Sequence, residues 1–420
     1  MHILLVNTYE KTGGAARATG RLFNGLKEQG ADVMLLVQDK RSTDVTVVTP
    51  GGKTGKKFLF LRPYIDFAIP LLQTRKRILF STSLLPDGVQ KAIEQIAPDI
   101  VHLNWITGGM VKLETLSKIE KPLVWTFHDL WAFTGGCHYP AEHCFRYKEG
   151  CGSCPLLHSH SLDDLSHQVF VRKQKVYAKI DHLAIITPSH WLAERVKESP
   201  LLGSRHVEVI PNGLDTTVFY PGEKSRSKTR FGLPKDKKLI LFGGIRGVQN
   251  MLKGFDLLVE ALHYLINKDY ELVVFGSGNS KISGRIPIPT RFMGYIDSEK
   301  NLAELYSAMD VVVVPSRQEV FGQTASEALS CGVPVVAFPV GGLTDIVTHK
   351  KNGYMAEPFK PEDLATGIEW VLNDTGRYRE LSTEARKTAL EKFDIRMLSQ
   401  KTITFYTTLV NGYQIPHSSC

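Results

Sequence analysis

Residues 310–338 read DVVVVPSRQEVFGQTASEALSCGVPVVAF, and this one stretch contains the pattern of a strand, a helix and a second strand. Asp310–Val314 and Pro334–Phe338 are short apolar runs of the kind found in buried parallel strands. The polar loop after the first run leads into a helical pattern at Thr324–Ser330. Strands that are separated by helices indicate a doubly wound parallel sheet.

The same alternation extends through most of the chain. Before residue 220 the predicted strands are His2–Val6, Val33–Val37, Asp99–His102, Leu123–Phe127 and Leu183–Ile186. The pattern restarts after a basic stretch at 220–238, with strands at Leu239–Phe242 and Leu272–Phe275. We therefore predict an α/β protein with two Rossmann-like domains, residues 1–205 and 206–395, that face each other across a cleft. The last helix, at about 396–415, is expected to pack back on the first domain.

The composition is that of an ordinary globular protein. Of 420 residues, 43% are apolar and 22% are charged, which excludes a disordered, collagenous or coiled-coil chain as a whole. No run reaches the roughly 20 apolar residues of a membrane span, and the apolar start is too short for a signal peptide, so we expect a cytoplasmic protein. The net charge is +8, and residues 1–250 hold 34 basic and 23 acidic residues. This excess suggests an anionic partner, such as a phosphorylated substrate, an anionic lipid or nucleic acid.

Candidate ligand contacts lie just after the predicted strands, because open α/β sheets bind ligands there. Gly13 and Gly14 follow the first strand, and His128 follows another. Glu319 and Glu327 are separated by seven residues, and such a carboxylate pair can accept hydrogen bonds from the diols of a ribose or hexose. Each feature also has a plain structural interpretation: a tight turn, a histidine packed at a domain edge, and one solvent-facing glutamate with a second at the favourable end of a helix dipole. The sequence contains no G-x-G-x-x-G motif, so a nicotinamide cofactor is not indicated.

Taken together, these motifs resemble those of one enzyme family, the retaining glycosyltransferases of the family-4 type, which have the GT-B fold. The motifs that carry the resemblance are Gly13-Gly14, His128, the segment 209–215 (VIPNGLD), Lys253-Gly254 and the Glu319–Glu327 pair. In addition, residues 128–139 (HDLWAFTGGCHY) and 150–155 (GCGSCP) are similar to a subgroup used in bacterial exopolysaccharide assembly, of the colanic-acid type.

The resemblance implies a role for each matching residue. It places His128 near the transferred sugar, Lys253 on the diphosphate and Glu319 on the donor sugar, so these three are the predicted catalytic residues. Glu327 would contact the ribose, and Gly14 would lie beside the donor phosphate.

Three more residues complete the predicted donor site. The main-chain amides at Phe321 and Gly322 would cradle phosphate. The family commonly has an arginine about five positions before the lysine, whereas here Arg246 lies seven before Lys253. Arg246 is expected to reach the diphosphate if its loop bulges.

The predicted chemistry does not use a metal. No Asp-x-Asp triplet occurs in the sequence, which removes the usual carboxylate pair that holds Mg²⁺ or Mn²⁺ on a diphosphate. The resemblance likewise implies no catalytic metal or other cofactor, and retention of the anomeric configuration. A glycosidase-type carboxylate nucleophile is then not required, since the leaving diphosphate can guide the acceptor hydroxyl to the same face.

Four closely spaced cysteines are a candidate structural metal site. Cys137, Cys144, Cys151 and Cys154 have spacings that include a Cys-x2-Cys pair, which suits tetrahedral zinc. His138 or His143 could replace one thiolate. Disulfides and free thiols remain alternatives.

Residues 53–80 are a basic segment with interleaved aromatic residues. They contain seven basic residues and one acid, and two prolines interrupt the helical pattern. The segment fits either docking on the anionic inner face of a membrane or an ordinary solvated helix. Nucleic acid is not predicted, because no nucleic-acid-binding motif accompanies the charges.

The sequence thus favours transfer of a sugar from a nucleotide-sugar donor to a saccharide or lipid-linked saccharide in bacterial surface polysaccharide synthesis. One alternative is a sugar-nucleotide epimerase or hydrolase, which would use the donor without an acceptor. The other is a non-catalytic protein that binds a saccharide or lipid.

Overall fold

A computed structural model of the chain describes residues 1–50, 56–74, 78–244, 247–265, 269–276, 284–296 and 298–414. The chain divides into two compact units. The first comprises Met1–Ile210 together with the residues from Arg396 onward, and the second comprises Pro211–Ile395. Each unit is built on its own parallel sheet, so the predicted α/β class with two Rossmann-like domains is confirmed.

The sheet of the first unit has seven parallel strands in the order β3-β2-β1-β4-β5-β6-β7. These strands are β1 (His2–Tyr9), β2 (Asp32–Asp39), β3 (Val47–Val48), β4 (Ile100–Leu103), β5 (Leu123–Thr126), β6 (Leu183–Thr187) and β7 (His206–Val209). The helices that precede β7 are α1 (Gly14–Glu28), α2 (Lys56–Ala68), α3 (Val89–Ile96), α4 (Leu165–Tyr177) and α5 (His190–Lys197). Because the strand order reverses between β1 and β4, their carboxyl ends form a topological switch point, where ligands commonly bind.

The sheet of the second unit has six parallel strands in the order β10-β9-β8-β11-β12-β13. These strands are β8 (Lys238–Gly243), β9 (Tyr270–Phe275), β10 (Thr290–Phe292), β11 (Val311–Val314), β12 (Val335–Ala337) and β13 (Gly353–Met355). Its helices are α6 (Lys224–Arg230), α7 (Phe255–Leu262), α8 (Glu299–Ala308), α9 (Gln323–Ser330), α10 (Leu343–Ile346), α11 (Pro361–Leu372) and α12 (Thr375–Lys392). The switch point of this sheet lies between β8 and β11.

The second sheet is covered on both faces, and this explains its continuous apolar strands. Successive side chains of a strand point to opposite faces. In β11, Val312 and Val314 therefore pack into one apolar cluster, and Val311 and Val313 into another. Burial on both faces fixes the strand and thereby the loop that follows it, which carries Glu319.

The boundary between the units lies later in the chain than predicted. The sequence suggested a boundary after residue 205, but β7 pairs with β6 in the first sheet, so the first unit extends to Ile210. The chain then returns to this unit through α13 (Ile395–Gln414), whose Leu398 and Tyr406 pack in the core of the first sheet. None of the helices in the described part of the chain has both the length and the apolar content needed to traverse a lipid bilayer.

Candidate active site

The loop between β8 and α7 positions Lys253. The Asn250 side chain accepts a hydrogen bond from the Leu252 amide (3.1 Å), which shapes the turn that precedes the lysine. Gly254 follows with φ 65°, and a Cβ there would lie 1.9 Å from the Pro315 carbonyl oxygen. Only glycine permits this close approach of the two loops. Lys253 is therefore held against the loop that follows β11.

The loop between β11 and α9 positions Glu319, and a neighbouring loop supports it. The Gly342 amide donates to the Glu319 carbonyl oxygen at 2.9 Å. Gly341 has φ 56°, and a Cβ there would lie 1.8 Å from the same oxygen. The backbone of Glu319 thus lies directly against these two glycines, which leaves its side chain free to extend toward Lys253.

Lys253 and Glu319 form an ion pair at the carboxyl ends of β8 and β11. Lys253 Nζ lies 2.6 Å from Glu319 Oε2, and the side chains are 29% and 15% exposed. The Ser316 hydroxyl also donates to Glu319 Oε2, at 3.3 Å. The structure therefore brings together two of the three predicted catalytic residues, a cation and a carboxylate that remain accessible from solvent.

Glu327 lies on α9 and is far less accessible than Glu319. It is 1% exposed, and Glu327 Oε2 accepts a hydrogen bond from the Tyr306 hydroxyl of α8 at 2.9 Å. This contact, which the sequence does not reveal, orients the carboxylate. The ribose contact of Glu327 stays a prediction.

Phe321 and Gly322 form the turn that begins α9. Gly322 has φ 113°, and the buried Phe321 ring packs edge-on against Phe393. Helix N-termini favour anions, because backbone amides and the helix dipole point at the ligand. The start of α9, which comes directly after the loop that carries Glu319, is therefore a favourable position for an anion.

His128 lies two residues after β5, the strand next to β4 and hence beside the switch point of the first sheet. Its Nε2 is 3.1 Å from Asn104 Oδ1, and Asn104 follows β4. Burial lowers the pKa of His128 to about 4, although Asp129 acts in the opposite direction. The imidazole is therefore neutral at pH 7, and it can exchange hydrogen bonds without carrying charge.

A hydrogen-bonded network beside His128 was not predicted from the sequence. Asp129 Oδ2 accepts from Trp105 Nε1 (2.7 Å) and lies 2.6 Å from His138 Nδ1. Asp129 Oδ1 accepts from the Trp131 amide at 2.8 Å. Despite burial, the His138 charge and these hydrogen bonds lower the pKa of Asp129. Only the strand-end position of Asp129 could have signalled this role.

Two other residues of the predicted donor site are Gly14, which lies in the described part of the chain, and Arg246, which does not. Gly14 is the first residue of α1 and follows Gly13, whose φ of 101° permits the turn from β1. Arg246 lies outside the described residues, so its contact with the diphosphate stays a prediction.

The four cysteines lie together in the first unit. All four are free thiols, and they line one cavity. The suggested histidine substitutes are not placed to join them. His138 is fully buried with Nε2 3.0 Å from the Ser81 hydroxyl, and His143 is an exposed residue that faces Glu142. In the part of the chain that the structure describes, no three His, Cys, Asp or Glu side chains are already spaced as metal ligands.

The basic segment at 53–80 is only partly described, and one of its charges is not on the surface. Arg62 is 5% exposed, and its Nε donates to the Gly109 carbonyl (2.7 Å) and to Gln38 Oε1 (3.1 Å). Arg62, one of the seven basic residues of the segment, is therefore not available as a surface charge. Lys53 and residues 75–77 lie outside the described residues. Several apolar side chains here are exposed: Leu61, Tyr64, Ile65, Leu71 and Leu72.

Comparison with protein families assigns both halves of the chain. Residues 12–218 match the family described as Glycosyltransferase Family 4. Residues 223–388 match Glycosyl transferases group 1. An uncharacterized glycosyltransferase of Methanocaldococcus jannaschii is 29% identical over 331 residues, which cover 73% of this chain and 82% of that protein. D-inositol 3-phosphate glycosyltransferase of Xylanimonas cellulosilytica is 37% identical over 304 residues, which cover 69% of this chain and 67% of that enzyme.

Solved structures agree with this assignment at the level of the fold. Sucrose-phosphate synthase from Thermosynechococcus elongatus superposes with a TM-score of 0.71 at 20% identity, and the match covers 98% of this chain and 99% of that one. HepE of Anabaena, solved in complex with UDP and glucose, has a TM-score of 0.66 at 17% identity and covers 97% and 100%. The chain has the GT-B fold and belongs to the group 1, family-4 glycosyltransferases.

Proposed function

We propose that this protein transfers a sugar, with retention of configuration, from a nucleotide-sugar donor to a saccharide or lipid-linked saccharide acceptor. The observation that carries the proposal is the Lys253–Glu319 pair at the strand ends of the second unit. A cation and a carboxylate 2.6 Å apart offer a donor both a phosphate partner and a hydroxyl acceptor. Membership of the glycosyltransferase family and a relative solved with UDP support a nucleotide donor.

In this proposal, Lys253 neutralises the diphosphate as it leaves. Negative charge grows on the leaving group in the transition state, and a preorganised cation there stabilises the transition state more than the ground state. The amides of Phe321 and Gly322 at the start of α9 would contact the same phosphate. Glu319 would accept hydrogen bonds from the donor sugar, and Glu327 from the ribose.

Catalysis would proceed without a metal ion. The absence of an Asp-x-Asp triplet supports this part of the proposal, because Lys253 and the start of α9 can supply the positive potential instead. Arg246 would add a second positive charge. His128, being neutral at pH 7, would hydrogen-bond the transferred sugar and would not act as a cationic acid.

The first unit would bind the acceptor and dock on an anionic membrane in bacterial surface polysaccharide synthesis. Exposed apolar side chains on and after α2 support the membrane contact, since Tyr64 is 65% and Leu72 is 87% exposed. Vesicles that contain anionic lipid should sediment the wild-type protein. Leu72→Gln should weaken this binding, and Val45→Gln, at an equally exposed site (85%), should not.

Titration calorimetry with nucleoside diphosphates and nucleotide sugars tests the proposed donor site. We expect one donor class to bind, and Glu327→Gln to weaken that binding by about 1.5–3 kcal/mol through loss of a charged hydrogen-bond acceptor. Glu380→Gln, at an exposed position of α12, is the matched control. If no nucleotide binds the folded protein, the proposal is wrong. Product release that no saccharide stimulates would favour the epimerase or hydrolase alternative.

A further inference from the structure

The cysteine cluster, which we define as Cys137, Cys144, Cys151 and Cys154, encloses a small cavity in the first unit. The cavity has a volume of about 20 Å³, and Thr134 and Arg146 also line it. This volume accommodates a single ion or one water molecule. None of the four thiols is in a disulfide. The four cysteines that line this cavity match in number and softness the ligands that zinc prefers in structural sites.

The backbone around the cysteine cluster is held tightly. Cys151 and Ser153 have φ angles of 61° and 45°, in the left-handed region that side chains rarely adopt. A Cβ at Gly152, between them, would lie 2.3 Å from the Leu162 carbonyl oxygen. The Gly135 amide donates to Cys151 Sγ at 3.2 Å. Amide donors of this kind favour a thiolate over a neutral thiol.

A buried lysine beside the cysteine cluster lacks a close counterion. Lys173 is fully buried, and its Nζ donates to the Thr134 carbonyl (3.0 Å) and to the Trp131 carbonyl. It also lies 3.7 Å from the centre of the Trp131 ring. Within the described ranges, no carboxylate lies within 4.0 Å of this ammonium, and Asp129 acts on it from farther away. Burial lowers the pKa of Lys173 to about 7, so a nearby anionic group would favour the charged form of this lysine.

We propose that the cysteine cluster binds one Zn²⁺ ion as a structural tetrathiolate site and that Lys173 balances its charge. Binding would release four thiol protons and leave a centre with a net charge of −2. The nearby thiolates would then supply the negative charge that Lys173 otherwise lacks at close range, and Arg146 at the cavity wall would supply further positive charge. The side chains would have to rearrange when the ion binds, because the four thiols are not spaced as ligands in this structure.

The elements on both sides of the cysteine cluster indicate what the ion would hold in place. The Thr134 hydroxyl donates to the Cys137 carbonyl at 2.6 Å, and Cys137 forms a β-bridge with Phe80. Cys154 packs with Val169 of α4 in the same apolar cluster. A zinc ion would therefore join the loop that follows His128 to α4. It would act on stability and on positioning, with no coordination site left for substrate.

Elemental analysis of the untagged, full-length protein from zinc-supplemented cells tests the proposal without any donor or acceptor. We expect one zinc per chain, and Cys331→Ser, a buried thiol of the second unit, should keep it. Cys144→Ser should lose it. Because that variant could fail to fold, the wild-type protein should also be reconstituted with Co²⁺, which should give the charge-transfer and ligand-field bands of tetrahedral thiolate coordination.

Lys173→Met, which keeps the apolar stem, separates charge compensation from packing. We expect zinc affinity, measured by competition with a chelator, to fall roughly 10–100-fold, as for other residues that support metal ligands. An unchanged affinity would overturn the role of Lys173. The metal site itself would be overturned if the wild-type protein is free of zinc and the four thiols of the cysteine cluster are reactive, or if mass spectrometry detects disulfides among them. Neither result would bear on the proposed transfer activity.

Discussion

Opposite effects on nucleotide affinity are expected from the two partners of the Lys253–Glu319 pair. If Lys253 binds the diphosphate as proposed, Glu319 competes with phosphate for it, because Nζ and Oε2 are already 2.6 Å apart. Lys253→Ala should therefore weaken UDP binding, whereas Glu319→Gln should strengthen it by removing the competitor. A purely structural ion pair would not produce this difference in sign.

The size of each effect follows from the exposure of the pair. A hydrogen bond to a charged group contributes about 1.5–3 kcal/mol. An ion pair as exposed as this one contributes up to about 1 kcal/mol, and this is lost when phosphate binds. Lys253→Ala should thus cost about 1–2 kcal/mol, or roughly 5–30-fold in affinity. Glu319→Gln should gain up to about fivefold.

Titration calorimetry with UDP measures both effects, and release of nucleoside diphosphate from the bound donor measures turnover. Lys253→Ala should reduce kcat by roughly 10²–10³-fold, since the leaving group becomes more negative in the transition state. Lys351→Ala breaks a longer and more exposed ion pair elsewhere in the second unit (3.7 Å to Glu384) and controls for loss of a lysine charge. Equal losses of UDP affinity in Lys253→Ala and Glu319→Gln would refute the competition, and unchanged affinity in Lys253→Ala would remove the lysine from the site.

Two further predictions concern packing and pH. Gly341→Ala places a Cβ 1.8 Å from the Glu319 carbonyl oxygen, so it should lower both the free energy of unfolding in urea and the turnover. The losses should exceed those of the control Gly232→Ala, where a Cβ meets nothing within 4 Å. Equal losses in the two variants would argue against this contact. Burial lowers the pKa of His102 to about 3, so between about pH 6.5 and 3 the unfolded chain binds a proton that the folded chain does not. The free energy of unfolding therefore decreases as the pH is lowered, by up to about 1.4 kcal/mol per unit. His102→Asn should flatten this slope, whereas the exposed His143→Asn should not; an unaltered slope in His102→Asn would contradict the assignment.

Strands with continuous apolar runs could be predicted from the sequence. The boundary between the units could not, because the strand beside it lacks such a run. Val311–Val314 is buried on both faces and has no polar interruption. β7, with the sequence HVEV, is an edge strand that is partly exposed, so it lacks that pattern. Its pairing with β6 depends on tertiary contact, and the predicted boundary therefore fell before it.

The candidate site shows the same limit. Its strand-end residues could be located because parallel strands bring their carboxyl ends to one edge. The sequence could not predict which side chains meet there, since the Asp129–His138 contact depends on a loop that folds back. The sequence also could not show which individual charged side chains are buried. Arg62 and Lys173 occur in basic segments that resemble solvated helices, yet backbone carbonyls accept hydrogen bonds from both.

Trp131 links the cysteine cluster to the predicted sugar contact. Its carbonyl oxygen and its ring contact Lys173, and its amide donates to Asp129, the neighbour of His128. A loosened cluster would therefore shift the network that borders His128. The Lys253–Glu319 pair lies in the other unit and has no part in these contacts. Loss of zinc should consequently lower thermal stability and turnover while UDP affinity stays unchanged, a combination that damage to the donor site would not produce.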